Sequence, residues 1–260
     1  MIDLTGKVIL VTGGSSGIGA VTVRTLANAG AMTILHYFSR RDKAEEIVRE
    51  MGCDMPRARW RDRIHLIQSD LTQENGAITL WNDALSWQGR IDVLVNNAAI
   101  MLAAGVDDNL ALWSSVWQKT LQVNLIAVAD LCREAIHHFK SRNGGIIINV
   151  ASRAAFRGDT PEYMHYAASK GGIISLTRSI ARGFAKDNIL AFAVAPGFVR
   201  TEMAEKFIED YGEDFVTRDI PMGKIAPPED VANVIAFLAS GLAPHATGTT
   251  IDINGASYVR

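Results

Sequence analysis

The stretch YMHYAASKGG, residues 163–172, sets two phenols and one ammonium group at helical spacing. Tyr166 lies four residues before Lys170 and Tyr163 lies seven before it, so at 3.6 residues per turn both fall on the lysine's side. A free phenol has a pKa of about 10 and a free ammonium about 10.4, so neither exchanges protons readily near neutrality. Reducing a ketone by hydride transfer leaves an alkoxide that needs a proton, and the reverse oxidation needs a base. A tyrosine can serve both directions if a nearby cation stabilises its phenolate. Moving a phenol from about 10 to about 7 takes roughly 4 kcal/mol, the size of one close, partly buried charge plus a second charge from a cofactor. Spacing alone does not choose between the two tyrosines.

A second candidate is TGGSSGIG, Thr12 to Gly19. It follows an apolar run and opens a helical pattern. In that setting, unpaired N–H groups and a partial positive charge at the helix start face a phosphate. Gly13, Gly17 and Gly19 let the backbone approach a diphosphate that a Cβ would block. Ser15, Ser16 and Ile18 complete the turn.

The elements that must position these groups alternate along the chain. Strands are expected at 7–13, 31–37, 63–70, 91–99, 144–152, 189–197 and 248–256. Helices are expected at about 18–29, 43–52, 77–89, 110–140, 160–185 and 228–240. The strand runs are apolar on both faces, which predicts an α/β fold: one Rossmann-type, doubly wound sheet of about seven parallel strands with helices on both sides. No linker, repeat or low-complexity segment divides residues 1–260, so one dinucleotide-binding and catalytic domain is expected.

Composition narrows the class further. The 260 residues are 48% hydrophobic, with 26 basic and 28 acidic side chains and a net charge of −2. That balance argues against a nucleic-acid partner. The arginines at 57, 59, 61 and 63 read as a solvated loop first. Two cysteines, Cys53 and Cys132, suggest neither a disulfide framework nor a metal site. No apolar run reaches the roughly 18 residues of a membrane span, and the N-terminus does not read as a secretory signal, so no membrane partner and a cytoplasmic setting are expected.

TGGSSGIG, NNAA (96–99), Asn124 in LQVNLIAV, Ser152 in INVASRAAF, YAASK (166–170) and APGFVRTEM (195–203) stand in this order. The ordered set resembles the short-chain dehydrogenase/reductase family over essentially the whole chain, its 3-oxoacyl-(acyl carrier protein) reductase-like and sugar dehydrogenase-like members above all. The resemblance implies an oxidoreductase that interconverts a ketone and a secondary alcohol. It makes Tyr166 the acid/base and gives Lys170 two tasks, lowering the phenol's pKa and holding the nicotinamide ribose. Ser152 would bond the substrate oxygen, and Asn124 would place a water between Lys170 and solvent. Tyr163 becomes a candidate pocket wall. Asn97 and Ala98, and Pro196, Gly197, Val199 and Thr201 after strand six, are expected along the cofactor. Residues 198–222 are expected to form a substrate lid, irregular over 202–220.

The resemblance also bears on the cofactor. The family's position for an acid that binds the ribose 2′-OH falls on Tyr37, and no acid stands in 31–41. Ser39, Arg40 and Arg41 follow instead, and a serine with an arginine can bind a 2′-phosphate. NADP is therefore favoured over NAD. Asp70 and Leu71 match the adenine-contacting pair. Ala99 stands where the family commonly has glycine. His165 reads as packing rather than chemistry, Trp113 and Trp117 as packing, and His137–His138 as a cationic helix end. A small carbonyl or alcohol substrate and a homotetramer built through the two long helices and the last strand are implied. The rival readings are a sugar or polyol dehydrogenase and a nucleotide-binding sensor without turnover.

Overall fold

The computed structural model describes residues 2–53 and 63–260. Seven strands form one sheet: β1 Val8–Val11, β2 Met32–Tyr37, β3 Ile64–Gln68, β4 Val93–Asn96, β5 Gly145–Val150, β6 Ile189–Pro196 and β7 Thr250–Ile253. Their order is β3-β2-β1-β4-β5-β6-β7 and every pairing is parallel. Alternate side chains leave opposite faces of a strand. Val8 and Leu10 accordingly enter one core, and Ile9 and Val11 the other.

Helices cover both faces. On one side lie α1 (Gly17–Asn28), α2 (Arg41–Cys53) and α10 (Pro228–Ser240), supplying Val23, Leu26, Ile47, Val231 and Ile235. On the other lie α3 (Gly76–Gln88), α4 (Leu110–Leu121), α5 (Ala127–Ser141) and α7 (Met164–Phe184), whose buried residues include Trp81, Leu131, Phe139 and Ile173. The chain reverses direction across the sheet between β1 and β4. In open α/β sheets this switch opens a crevice at the carboxyl ends of the strands.

Two elements differ from expectation. The helix expected over 110–140 is broken by a π-turn at Gln122–Ile126, which separates α4 from α5 and carries Asn124. The segment expected to be irregular contains two helices, α8 (Glu202–Tyr211) and α9 (Glu213–Thr217), the short α6 (Ala154–Arg157) having come earlier. Thr201 caps α8 by accepting from the Ala204 N–H, and Glu202 and Glu205 suit its positive end. Gly212, at φ +83°, breaks it from α9. These helices pack on a small cluster of their own, Val216, Ile220 and Ile225 with Phe198 and Ile208, apart from both main cores. Arg57, Arg59 and Arg61 lie outside the described residues.

Candidate active site

The switch point opens into a cleft of about 1260 Å³. Its floor is the glycine turn. Gly13 and Gly17 take φ of +64° and +52°, which L side chains rarely adopt. A Cβ on Gly13 would also stand 2.9 Å from the Ala98 Cα. Thr12 holds the opposite wall: its hydroxyl accepts from the N–H groups of Asn97 and Ala98, each at 3.0 Å. The Asn97 amide returns bonds to the carbonyls of Thr12 and Gly13 at 2.9 and 3.1 Å. The turn and the end of β4 are thus one rigid unit. Gly13, Ser15, Ser16, Gly17, Ile18, Asn97 and Ala98 all line the cleft. Gly19 does not. It is buried, and its missing Cβ leaves room for the Gly13 carbonyl, so its role is to let the turn close.

Tyr37 is likewise not at the cleft. It is buried in the core beside Leu35 and Ile47, while its neighbours His36 and Phe38 line the cavity. The pleat sends alternate residues to opposite faces, so a count by family position lands one residue from the wall. His36 is a feature the sequence reading did not single out. Its Nδ1 accepts from the Gly13 N–H at 3.1 Å and its Nε2 donates to the Ser69 carbonyl at 3.1 Å. That pair of partners fixes one neutral tautomer. Burial lowers its pKa to about 4.

Beyond β2, Ser39 and Arg40 line the cleft. Arg41 turns along its own helix to Glu45. Arg40 is paired with Glu202 at the start of α8, as is Lys43, a cation the sequence reading passed over. Hydrogen bonds from Lys43 and Arg40 hold the Glu202 carboxyl below its ordinary pKa. Asp70 and Leu71 also reach the cleft. Asp70 accepts from the Thr72 N–H at 2.9 Å, from its hydroxyl at 2.7 Å and from Gln73 at 3.1 Å, so its first task is to cap a strand-end turn.

The other half of the cleft holds Ser152, Tyr166 and Lys170. The Ser152 hydroxyl accepts from the Ala154 N–H at 3.1 Å and bonds the Tyr166 phenol. The Lys170 ammonium donates to the Val150 carbonyl at 2.7 Å and stands 5.7 Å from the Tyr166 ring centroid. Asn124 is buried behind them. Its amide pairs with the Ile100 backbone, accepting at 2.8 Å and donating at 2.9 Å, and reaches the Ser169 hydroxyl at 3.3 Å. It braces the helix one residue before Lys170 and does not line the cleft, so it acts by positioning. The π-turn aims it there, a common use of such turns.

Without a cofactor charge, burial dominates the pair. Burial pushes the Tyr166 phenol up to about 12, against the Ser152 hydrogen bond that lowers it, and pushes Lys170 down to about 8. Desolvation outweighs the Ser152 interaction in these residues taken alone, and the Asp159 charge adds to the rise. The downward shift the mechanism needs must come from charge added beside the phenol.

Pro196, Gly197, Val199 and Thr201 form the rim. A Cβ on Gly17 would touch the Thr201 side chain at 3.2 Å, so this rim closes directly over the glycine turn. Ala99 lines the cleft and takes an ordinary negative φ, which explains how it replaces glycine without strain. His165 is buried and donates Nε2–H to the Leu102 carbonyl at 2.8 Å, with its ring 5.8 Å from Trp117. It packs, as expected, and Trp113 packs on Trp117. His138 lies in the last turn of α5, as expected, but as an acceptor rather than a cation. It accepts from the Ile91 N–H at 3.2 Å, and burial lowers its pKa. Cys132 is a free, buried thiol, raised to about 12 by burial. Among the described residues no cluster could hold a metal ion, and no helix is long and apolar enough to cross a membrane.

A glycine turn at a helix start, a switch-point cleft and a Ser–Tyr–Lys set on its far wall fit a dinucleotide beside a reducible carbonyl. They define a hydride-transferring oxidoreductase. Comparison with known proteins agrees. A family model described as enoyl-(acyl carrier protein) reductase matches residues 13–256. A 3-oxoacyl-[acyl-carrier-protein] reductase of Aquifex aeolicus is 34% identical over 262 residues, covering 99% of each chain. A 3beta-hydroxysteroid dehydrogenase of Eggerthella lenta is 36% identical, covering 97% of this chain and 94% of that one. A solved structure from Beutenbergia cavernae, assigned as an NAD(P)-dependent gluconate 5-dehydrogenase and holding NADP, superposes with a TM-score of 0.87 at 30% identity, covering 98% of this chain and 97% of that one. The chain belongs to the short-chain dehydrogenase/reductase family, and it is an oxidoreductase acting on CH–OH groups.

Proposed function

We propose that the chain is an NADP(H)-dependent carbonyl reductase whose chemistry is that of the 3-oxoacyl-thioester reductases. The observation that carries this is that Ser152, Tyr166 and Lys170 line one cleft together with the glycine turn. The backbone N–H groups of Ser15–Ile18 at the start of α1 would hold the diphosphate, Ser39 and Arg40 the 2′-phosphate, Asp70 and Leu71 the adenine, and Asn97 to Ala98 with Pro196 to Thr201 the nicotinamide half. When bound, the nicotinamide supplies the hydride and, once oxidised, a positive charge near the phenol.

The protein's own residues then do the rest. Ser152 donates to the substrate carbonyl oxygen and fixes its distance from Tyr166. Tyr166 gives that oxygen its proton. Lys170, held by the Val150 carbonyl, presents its remaining N–H donors and its charge to the ribose and the phenolate. Asn124 keeps that stretch of α7 in register. Residues 198–222 act as the lid over the substrate within one domain, and their separate small core supports motion as a unit.

The reading extends to a cytoplasmic homotetramer. Leu110, Leu112 and Ile126 are exposed along α4 and the π-turn, and Phe237 and Leu242 at the end of α10. On α7, Gly172 receives Leu125 within the chain; a Cβ there would stand 2.9 Å from the Leu125 side chain.

The test is to mix the protein with NADPH or NADH and a panel of 3-oxoacyl thioesters, diketones and cyclic ketones, and to follow nicotinamide absorbance. Turnover that prefers NADPH is the expected result. Cofactor binding without its oxidation by any carbonyl of the panel would make the chain a sensor instead.

A further inference from the structure

The cleft is cationic at both ends, and a nucleotide accounts for only one of them. At the end beyond Ser152 its wall carries Arg153, Arg157 and Arg218, against the carboxylates of Asp159 and Asp219. Arg153 directly follows the serine that bonds the phenol, and only 11% of its side chain is exposed. Its guanidinium lies 4.8 Å from the Phe198 ring centroid. Its Nη1 is buried and makes no hydrogen bond among the described residues. The Asp219 carboxylate stands 3.8 Å from it, and the same oxygen is already bonded to Arg157.

A buried guanidinium nitrogen without a hydrogen bond carries a desolvation cost, and folded proteins leave few such groups. Burial and the charge of Arg157 hold the Arg153 pKa below its ordinary value, yet a guanidinium keeps its charge. One half-exposed carboxylate shared by two guanidiniums, one of them nearly buried, leaves bonding capacity beneath Asp219 that a ligand in the cavity reaches when Asp219 moves aside. The planar fork of an arginine matches a carboxylate best when two N–H groups point at it. Asp219 shows that a carboxylate fits between these two side chains.

We propose that this end of the cleft is a carboxylate subsite, in which Arg153 and Arg157 hold an acid group of the substrate while Ser152 and Tyr166 work on a carbonyl a few atoms away. The substrates are then oxo acids and the corresponding hydroxy acids rather than neutral ketones. This rests on the reductase reading above and narrows it. Asp219 occupies the subsite from the lid side and gives way to the substrate's carboxylate. The competing role for Arg153 is that of a strut, tying Phe198 and Asp219 of the lid to the sheet.

The experiment compares 3-oxobutanoate, 4-oxopentanoate and 5-oxohexanoate with their methyl esters, using NADPH, in the wild type and in Arg153→Met, Arg157→Gln and Asp219→Asn. At least one acid should exceed its ester in kcat/KM by about tenfold or more, the worth of one charge-assisted bond. Arg153→Met should raise the acid's KM by about tenfold and leave the ester's kcat and KM within about twofold. Arg157→Gln, at an exposed position that tolerates change, should act in the same direction. Asp219→Asn should lower the acid's KM. Equal use of acids and esters by the wild type overturns the subsite and leaves the reductase standing. An Arg153→Met loss shared equally by acid and ester overturns it in favour of the strut. If no ketone is reduced, the reductase reading falls. Calorimetric binding of 4-oxopentanoate to the wild type and to Arg153→Met then decides the subsite alone: about tenfold weaker binding in the variant supports it, and equal binding overturns it.

Discussion

The two cationic ends of the cleft are built from the same parts but in different surroundings. At the adenosine end, Arg40 and Lys43 pair with Glu202, and all three are well exposed, at 48%, 37% and 54% of the side chain. At the substrate end, Arg157 and the nearly buried Arg153 face Asp219. Both acids come from one segment, Glu202 opening α8 and Asp219 following α9. Exposed pairs contribute under about 1 kcal/mol, so Glu202 yields easily to a phosphate. A buried guanidinium is dearer to leave unpaired, so what meets Arg153 discriminates more sharply among ligands. Position in the cleft, more than residue type, sets how selective each end is.

The adenosine end also stands on a stiffer base, and the largest effects should come from breaking it. Gly19→Ala drives a methyl group into the Gly13 carbonyl, against backbone that cannot step aside. The expected cost is about 3 kcal/mol, the upper end for overpacking, with loss of NADPH binding. Chemical denaturation and cofactor fluorescence would measure both. A variant that binds NADPH normally would show that the turn is softer than its contacts imply.

His36 gives the same base a pH limit. Its folded pKa is depressed to about 4 from an ordinary 6.5, so acid favours the unfolded chain. Stability is complete above about pH 6.5, is lost progressively as pH falls toward 4, and then levels off. At about 1.36 kcal/mol per pH unit the whole loss is about 3 kcal/mol. Denaturation midpoints taken from pH 7 to pH 4 should fall less steeply in His36→Asn than in the wild type, because His65, His138 and His165, each held below its ordinary pKa by burial, add their own dependence.

Substitutions of the charges themselves should have smaller effects. Arg40→Ala should raise the KM for NADPH by about tenfold and leave that for NADH nearly unchanged. Equal effects on both would remove Arg40 from the 2′-phosphate site. Glu202→Gln should lower the KM for NADPH by about twofold in dilute buffer, an advantage that disappears in high salt.

The contrast between the ends also marks what the sequence could reveal. Helical spacing singled out Lys170 with two tyrosines, and only the resemblance to the family chose Tyr166 and added Ser152. The glycine turn was legible because it sits between a strand and a helix. The wall at β2 was misread by one position, as Tyr37 rather than His36, because strand side chains alternate and a count by family position does not say which face a residue takes. The pairs Lys43–Glu202 and Arg153–Asp219 join residues far apart in the chain, and no local pattern announces them. The rise of the Tyr166 pKa comes from burial, which a Y-x-x-x-K spacing cannot report. Arg153 was in plain view beside Ser152, but only its buried Nη1 gives it a role.

The central claim is that Tyr166 is the proton carrier of an NADPH-dependent carbonyl reductase. Tyr166→Phe removes one oxygen from a packed helix and leaves Ser152, Lys170 and the glycine turn in place. Turnover of a 3-oxo substrate with NADPH should fall by at least about a hundredfold, the contribution typical of a positioned acid, while NADPH binding by fluorescence titration stays within about twofold of wild type. Full activity in that variant would contradict the mechanism outright.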